Sequence, residues 1–207
     1  MARARFLTPE LIVRTALDVS DRGGAETMTM RRIAAELGCD PMALYRHFAN
    51  REALLDAVAD LAVADVAVPD SSMAWDDRVR AIGEAIRDAA LRHPGITAHL
   101  AARPPVGENG RRIAAGVLGA LEAAGLPPAT AVQSFQTLVA YLASSLAMAV
   151  QAGVRDRRWE QVRDMVNALP VAAAPGEELF VVGSVEQFRF GMRLLLAGIK
   201  AEAAAVS

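Results

Sequence analysis

The chain has 207 residues, of which 53% are hydrophobic and 22% charged, so it can bury a core and is not a disordered or low-complexity chain. Its formal net charge of −2 excludes a protein that coats nucleic acid or membrane through bulk positive charge. Its one cysteine, Cys39, excludes an internal disulfide and a cysteine-built metal site. No apolar signal-peptide core follows Met1, so we expect a cytoplasmic protein.

Residues 1–68 carry the signals of four short helices. A residue that can cap a helix start precedes each apolar stretch, and proline or glycine marks several of the ends. A short polar stretch over 68–73 then separates a small domain, residues 1–68, from a larger one, residues 69–207. The four predicted helices run from Thr8-Pro9 to Gly23-Gly24, from Thr29 to Gly38, from Asp40-Pro41 through Phe48, and from Asn50 toward Pro69.

Residues 69–207 are predicted to form longer helices separated by proline and glycine. Alanine is abundant and aromatic residues make up only 5% of the chain, which favours helices over strands. No stretch shows the alternation or the Asn-Gly turns of β-hairpins, so the predicted fold class is all-α. Residues 170–183, with two prolines and two glycines, are predicted to be a loop. The predicted helices cover about 75–92, 94–101, 107–124, 127–152, 156–168 and 184–204.

The longest charge-free stretch, residues 123–154, is too polar and too interrupted by proline to be a membrane span of about 20 apolar residues, so no membrane partner is expected. It is better interpreted as a helix buried on several faces, inside a bundle or between subunits. Helix 127–152 and helix 184–204 from two subunits are therefore expected to form the four-helix interface of a homodimer. The expected contacts are the small residues Ala140, Ala143, Ser144 and Ala147 and the apolar cluster from Phe188 to Leu196.

Residues 29–51 contain two short helices that meet at a tight turn. Gly38 allows the left-handed conformation that such a turn requires. Apolar residues give each helix one buried face, and the small Ala34 and Ala35 allow a close approach. This arrangement predicts a helix-turn-helix, whose second helix can lie in the major groove of DNA.

The outer face of the second helix has the chemistry that DNA contact requires. Arg46 can donate two hydrogen bonds to a guanine edge, and Tyr45 and His47 can donate to phosphate oxygens. Arginines also occupy the first turns of the neighbouring helices, where helix N-termini add backbone donors. The candidate DNA-binding residues are Thr29, Arg31, Arg32, Asp40, Met42, Ala43, Tyr45, Arg46, His47 and Arg51.

This segment resembles the DNA-binding segment of the tetracycline-repressor (TetR) family of bacterial regulators. The similarity covers about the first quarter of the chain closely and the rest in architecture only. The matching residues are Met30-Arg31-Arg32-Ile33-Ala34, Leu37-Gly38, Leu44-Tyr45-x-His47-Phe48 and Asn50-Arg51-x-x-Leu54-Leu55.

The resemblance implies a role for several of these residues. Asp40 to His47 would form the recognition helix, with Tyr45 and His47 on backbone phosphate. Arg31 would lie at the groove edge, and Arg51 would clamp phosphate at the start of the fourth helix. Pro41 departs from the family, since many members have a base-reaching side chain there, which leaves Arg31 and Arg46 as the main polar readers.

The larger domain is expected to hold a small-molecule inducer, because it exceeds what dimerisation alone requires and suits an apolar cavity with few polar groups. No cluster of charges marks a phosphate or ion site, so we expect a mostly apolar inducer and no cofactor. His93 and His99 do not have the i, i+4 spacing of a helical metal pair, so no metal is expected. The candidate ligand-binding residues are His99, Arg103, Gln133, Phe135 and Gln136.

The sequence thus predicts a ligand-responsive transcriptional regulator, by default a repressor, that binds a palindromic double-stranded operator as a homodimer. No phosphate loop, nucleophile elbow or HExxH pattern occurs, so no enzyme is expected. The alternative is a helical binding protein or enzyme whose helix-turn-helix serves protein contacts only. The basic, aromatic outer face of residues 40–51 favours the regulator, since a purely structural module has no need of it.

Overall fold

The computed structural model describes residues 7–151, 160, 161, 164, 165, 168 and 183–206. These residues contain helices and no strand, which confirms the all-α prediction. Most of the predicted helix 156–168, and the predicted loop 170–183 up to its last residue, lie outside the described residues. The helices are α1 (Pro9–Gly23), α2 (Met30–Leu37), α3 (Pro41–Tyr45), α4 (Arg51–Ala62), α5 (Trp75–Arg92), α6 (Pro94–Ala102), α7 (Glu108–Ala123), α8 (Pro128–Gln151) and α9 (Val185–Val206), with a 3-10 turn at Ala25–Thr27.

The first four helices begin where their capping residues predict. The side chains of Thr8 and Thr29 each accept a hydrogen bond from a backbone N–H of the first turn, at 3.2 Å. Asp40 and Asn50 do the same for α3 and α4, at 2.7 and 2.8 Å. Each of these bonds satisfies a backbone donor that the helix itself leaves unpaired.

The turn between α2 and α3 depends on Gly38. Its φ of +67° lies in the left-handed region, and its N–H donates to the carbonyls of Ala34 and Ala35 to close α2. Each of the first four helices contributes a fully buried side chain to the core: Ile12, Ile33, Leu44 and Val58. Leu44 thus buries the inner side of α3.

The fourth helix is shorter than predicted. It ends at Ala62, and the chain continues in tighter turns, with Ala64 N–H bonded to Leu61 and Val66 N–H to Val63. The carbonyls of Ala64 and Val66 then accept hydrogen bonds from Arg112 of α7, at 2.9 and 2.7 Å. These carbonyls are therefore satisfied by α7 instead of by another helical turn.

The longer helices form a bundle beside the first four. α5, α7 and α8 pack against one another, and α6 contacts α1 and α4 on one side and α5 and α8 on the other. Buried apolar side chains from both parts form one continuous core. None of the described helices has the length and apolar character to cross a membrane. α6, together with the contact between α4 and α7, thus joins the two parts of the chain.

Candidate DNA-binding surface and ligand cavity

The recognition helix α3 presents its polar side to solvent. Leu44 is fully buried beneath it, whereas the Met42 side chain is 66% exposed and Tyr45, Arg46 and His47 are also exposed. Ala43 is only half-buried and adds a methyl group between them. The structure therefore brings a thioether, a phenol, a guanidinium and an imidazole to one exposed face, where they can reach a DNA groove and its phosphates.

Two of the candidate DNA-binding residues also cap helices. The hydroxyl of Thr29 accepts from the Arg32 N–H, and the carboxylate of Asp40 accepts from the Met42 N–H. Arg31 and Arg32 follow in the first turn of α2, with both side chains exposed. The caps thus fix the two N-termini that flank the exposed face.

Arg51 holds α4 against the start of α2. Its Nε donates to the backbone carbonyl of Met28 at 2.8 Å, across 23 residues of chain. The residue as a whole is exposed, in the first turn of α4 directly after the Asn50 cap. This bond places a guanidinium beside the helix-turn-helix in a defined position.

An ion pair joins α1 to α2 on the solvent side. Nη2 of Arg22 lies 2.8 Å from Oε1 of Glu36, and this hydrogen bond and charge hold the pKa of the Glu36 carboxyl below its ordinary value. Glu36 thus stays ionised and paired with α1. The pair adds to the buried core in setting the orientation of α2.

A cavity of about 120 Å³ lies in the larger part of the chain, chiefly between α5, α6, α7 and α8. Every described side chain that lines it is apolar, or the residue is glycine. Most come from the helical bundle, with Val63 from the end of α4 and Met192 from α9. The others are Val79, Ile82, Gly83, Ile86, Leu100, Pro104, Pro105, Gly110, Ile113, Ala114, Val117, Phe135, Leu138, Val139, Leu142, Ala143 and Leu146.

The five candidate ligand-binding residues fall in different places. Phe135 lines the cavity. His99 and Arg103 are outside the lining and bind Asp56 of α4, while Gln133 and Gln136 are exposed on α8.

Sequence reasoning missed most of the lining residues, although α8 carried a signal for them. Its lining residues follow the i, i+3, i+4, i+7 spacing of a single helix face: Phe135, Leu138, Val139, Leu142, Ala143 and Leu146.

Two side chains, one from α6 and one from the residue that follows it, are hydrogen-bonded to Asp56 of α4. Nε2 of His99 lies 2.8 Å from Oδ1 of Asp56, and Arg103 donates from Nε to Oδ1 at 3.1 Å and from Nη2 to Oδ2 at 3.2 Å. The Arg103 hydrogen bond, followed by that of His99, holds the pKa of the Asp56 carboxyl below its ordinary value. The C-terminal end of α6 is thereby attached to α4.

One turn later on α4, Asp60 caps the start of α7. It accepts from the Gly110 N–H at 2.8 Å and from the Asn109 N–H at 3.2 Å, and the Asn109 side-chain amide donates to it as well. A Cβ at Gly107 would collide with this carboxylate, so only glycine allows the close approach. α4 is therefore attached to both helices that flank residues 103–107, of which Pro104 and Pro105 line the cavity.

Among the residues that the structure describes, no group of three or more His, Cys, Asp or Glu side chains could hold a metal ion. His93, like His99, instead lies against a carboxylate, with Nδ1 at 2.8 Å from Oδ2 of Asp21 on α1.

A helix-turn-helix with an exposed basic and aromatic face, attached to a helical domain with an apolar cavity, defines a one-component DNA-binding regulator. Two family models match the chain. "Bacterial regulatory proteins, tetR family" covers residues 12–58, and "Tetracyclin repressor-like, C-terminal domain" covers residues 68–203. The chain therefore belongs to the TetR family.

Similar proteins and solved structures support this assignment. "Tetracycline repressor protein class A from transposon 1721" of Escherichia coli is 32% identical over 154 residues, which are 72% of this chain and 70% of the relative. The Streptomyces coelicolor TetR family protein ActR, solved in complex with actinorhodin, has a TM-score of 0.79 at 27% identity and covers 96% of this chain and 99% of its own. Mycobacterium smegmatis BioQ, solved with its double-stranded DNA operator, has a TM-score of 0.71 at 28% identity and covers 94% and 99%.

As a member of this family, the chain is a helix-turn-helix transcriptional regulator that binds operator DNA as a dimer, and it is not an enzyme. The alternative, in which the helix-turn-helix serves protein contacts only, is wrong.

Proposed function

We propose that this chain is a cytoplasmic repressor and that a small, mostly apolar molecule releases it from its operator. Residues 1–68 form the DNA-binding domain, and residues 69–207 form the ligand-binding and dimerisation domain. Two copies bind a near-palindrome whose half-sites lie about 34–36 Å apart, or a multiple of that distance. The repressor among the relatives, the operator complex of BioQ and the actinorhodin complex of ActR support this assignment.

The observation that carries the proposal is the segment between α6 and α7, residues 103–107. Its Pro104 and Pro105 line the cavity, whereas Arg103 and Asn109 on either side bind the two aspartates of α4. α4 in turn begins directly after the helix-turn-helix. A ligand that displaces the two prolines therefore shifts α4 and the recognition helix with it. The ligand can lower operator affinity only by the factor by which it binds the released conformation more tightly than the operator-bound conformation.

The test of DNA recognition is a salt-dependent gel shift with the DNA upstream of the chain's own gene. Arg46→Ala should cost about 1–3 kcal/mol of operator affinity and relax the sequence preference, because a base contact is lost. Tyr45→Phe removes a single hydroxyl and should weaken operator and unrelated DNA alike, because a phosphate contact is lost. Arg92→Ala, an exposed arginine at the end of α5, is the control and should bind as the wild type does.

Two results would contradict this account. Retention of the wild-type sequence preference by Arg46→Ala would mean that Arg46 does not read a base. Failure of every apolar compound in a screen to release operator DNA, combined with release by a metal ion or a highly charged metabolite, would exclude the proposed kind of inducer.

A further inference from the structure

The composition of the cavity wall identifies the class of ligand, on the premise that the chain is a ligand-released repressor. Nineteen of the residues that the structure describes line the cavity, and none of these nineteen has a polar side chain. Ligand sites of proteins usually combine an apolar wall with a few placed polar groups that orient the ligand. None of these nineteen side chains can donate a hydrogen bond, and the only acceptor among them is the weak thioether sulfur of Met192.

The polar residues that the sequence predicted for the ligand site do not face the cavity. His99 and Arg103 bind Asp56, and Asp60 caps α7. Within α8, Gln133 and Gln136 are exposed instead of facing the wall. A hydroxyl or carboxylate of a ligand loses its hydrogen bonds to water when it enters the cavity, and none of the nineteen lining side chains donates a hydrogen bond in their place. Binding should therefore weaken by about tenfold or more for each unpaired group.

We propose that the inducer is an uncharged, hydrocarbon-like molecule of about one ring, held by shape and apolar burial alone. A single ring fits the cavity volume of about 120 Å³. An engineered apolar cavity of about 150 Å³ stays free of water and binds benzene. The cavity of this chain has the same wall chemistry and a similar volume, so single-ring arenes and cycloalkanes match it.

Met192 is the adjustable part of the wall. It projects from α9 toward Gly83 of α5 and is buried. A Cβ placed on Gly83 would lie 2.8 Å from the terminal methyl of Met192, which is the far end of a flexible side chain. Because an unbranched thioether changes rotamer at low cost, Gly83→Ala should displace this methyl into the cavity without breaking the fold.

Gly83→Ala therefore reduces the cavity and is the test variant. Alanine favours a helix interior over glycine, so the variant should be at least as well folded as the wild type. Gly119→Ala in α7 is the matched control, since a Cβ there meets no atom within 4 Å. Both variants gain the same helix propensity, and only one changes the cavity.

The experiment measures binding of toluene, cyclohexane, benzoate and Mg²⁺-tetracycline to the full chain by calorimetry and by the shift in Tm. Toluene and cyclohexane should bind and raise the Tm of the wild type and of Gly119→Ala. Gly83→Ala should weaken both at least tenfold, and benzoate should bind at least tenfold more weakly than toluene. Toluene binding that Gly83→Ala leaves unchanged, or no binding of either hydrocarbon to the wild type, would overturn the proposal.

Operator release by the same four probes separates this inference from the proposed function. Release by benzoate or Mg²⁺-tetracycline, with no release by toluene or cyclohexane, would overturn the ligand class and leave ligand-controlled repression in place. Absence of operator binding by the wild type would overturn the repressor, whereas the calorimetric comparison would still decide the ligand class. If toluene releases the operator from the wild type and releases it less from Gly83→Ala, both the ligand-controlled repressor and the proposed ligand class are supported.

Discussion

Arg78 in the first turns of α5 is buried without a hydrogen-bond partner for its Nε among the residues that the structure describes. The residue is only 9% exposed. A buried polar group without a partner reduces stability, because its desolvation is not compensated. A methionine of similar length would keep the packing and remove this cost.

We expect Arg78→Met to raise the free energy of unfolding by roughly 1 kcal/mol, measured by urea denaturation. Arg80→Met, two residues later, is the control. Arg80 is exposed and pairs with Asp77 at the surface, so its loss should change stability by less than about 0.5 kcal/mol. A clear loss of stability in Arg78→Met would show that its guanidinium makes a stabilising interaction in the folded protein.

At the residue scale, the sequence predicted the local hydrogen bonds and missed the distant ones. The caps Thr8, Asp40 and Asn50 bond within three residues of themselves, so residue type and position suffice to predict them. Asp56 and His99 are 43 residues apart, and neither residue type nor helical periodicity indicates that they meet. The partners of His99 therefore follow only from the packing of α6 on α4.

At the scale of elements, α4 is joined to the ligand-binding part by Asp56 and Asp60, one helical turn apart. Because Arg103 and His99 lower the pKa of Asp56 in the folded state, its pairing stabilises the fold above the ordinary carboxyl pKa near 4. This stabilisation is lost as the pH falls through the lowered pKa, since the carboxyl then takes up a proton.

Asp56→Asn should therefore be less stable than the wild type at pH 6 to 7, and the difference should narrow below about pH 4. The difference at neutral pH should be about 1 kcal/mol or less, since the Asp56 side chain is 36% exposed and solvent screens the pair. Urea denaturation at several pH values measures both quantities. A difference that stays constant down to pH 3 would mean that the contact is steric and not ionic.

Most element boundaries were predictable because they depend on local residues. Pro94 and Pro128 stand at the first position of α6 and α8, and glycines with positive φ follow α2 and α7 closely. The end of α4 was not predictable, because Arg112 of α7 binds the carbonyls that follow it. An apolar cavity in the larger part was predicted, but most of its lining residues were missed for the same reason, since the wall combines residues from several helices.

At the scale of the whole molecule, α6 couples the DNA-binding part to the rest at both ends. Its N-terminal end packs on α1, where a Cβ on Gly95 would collide with the carbonyl of Ser20 and His93 binds Asp21. Its C-terminal end binds α4 through His99 and the following Arg103. The N-terminal contact combines close backbone packing at Gly95 with the His93–Asp21 hydrogen bond, whereas the C-terminal contact consists of side-chain hydrogen bonds beside the cavity-lining Pro104 and Pro105, so a ligand in the cavity can act on it directly.

Dimerisation needs an apolar surface that a single chain leaves exposed, and α9 provides one. Phe190 and Leu194 are 55% and 59% exposed, and the exposed Ala197 and Gly198 continue the same helix face. On α8, Ala140, Ser144 and Ala147 are exposed as the dimer prediction requires, whereas Ala143 is half-buried and lines the cavity. Both helices together form a surface with small and apolar side chains, as expected for a four-helix interface.

Leu194→Glu should therefore produce a monomer at micromolar concentration in sedimentation, because it places a charge at the two-fold interface. Operator affinity should fall at least a hundredfold, since two linked DNA-binding domains bind a palindrome far more tightly than one. Leu91→Glu, which charges an exposed leucine near the end of α5, is the matched control and should stay dimeric. A dimer in Leu194→Glu with wild-type operator affinity would place the interface on another face of the chain.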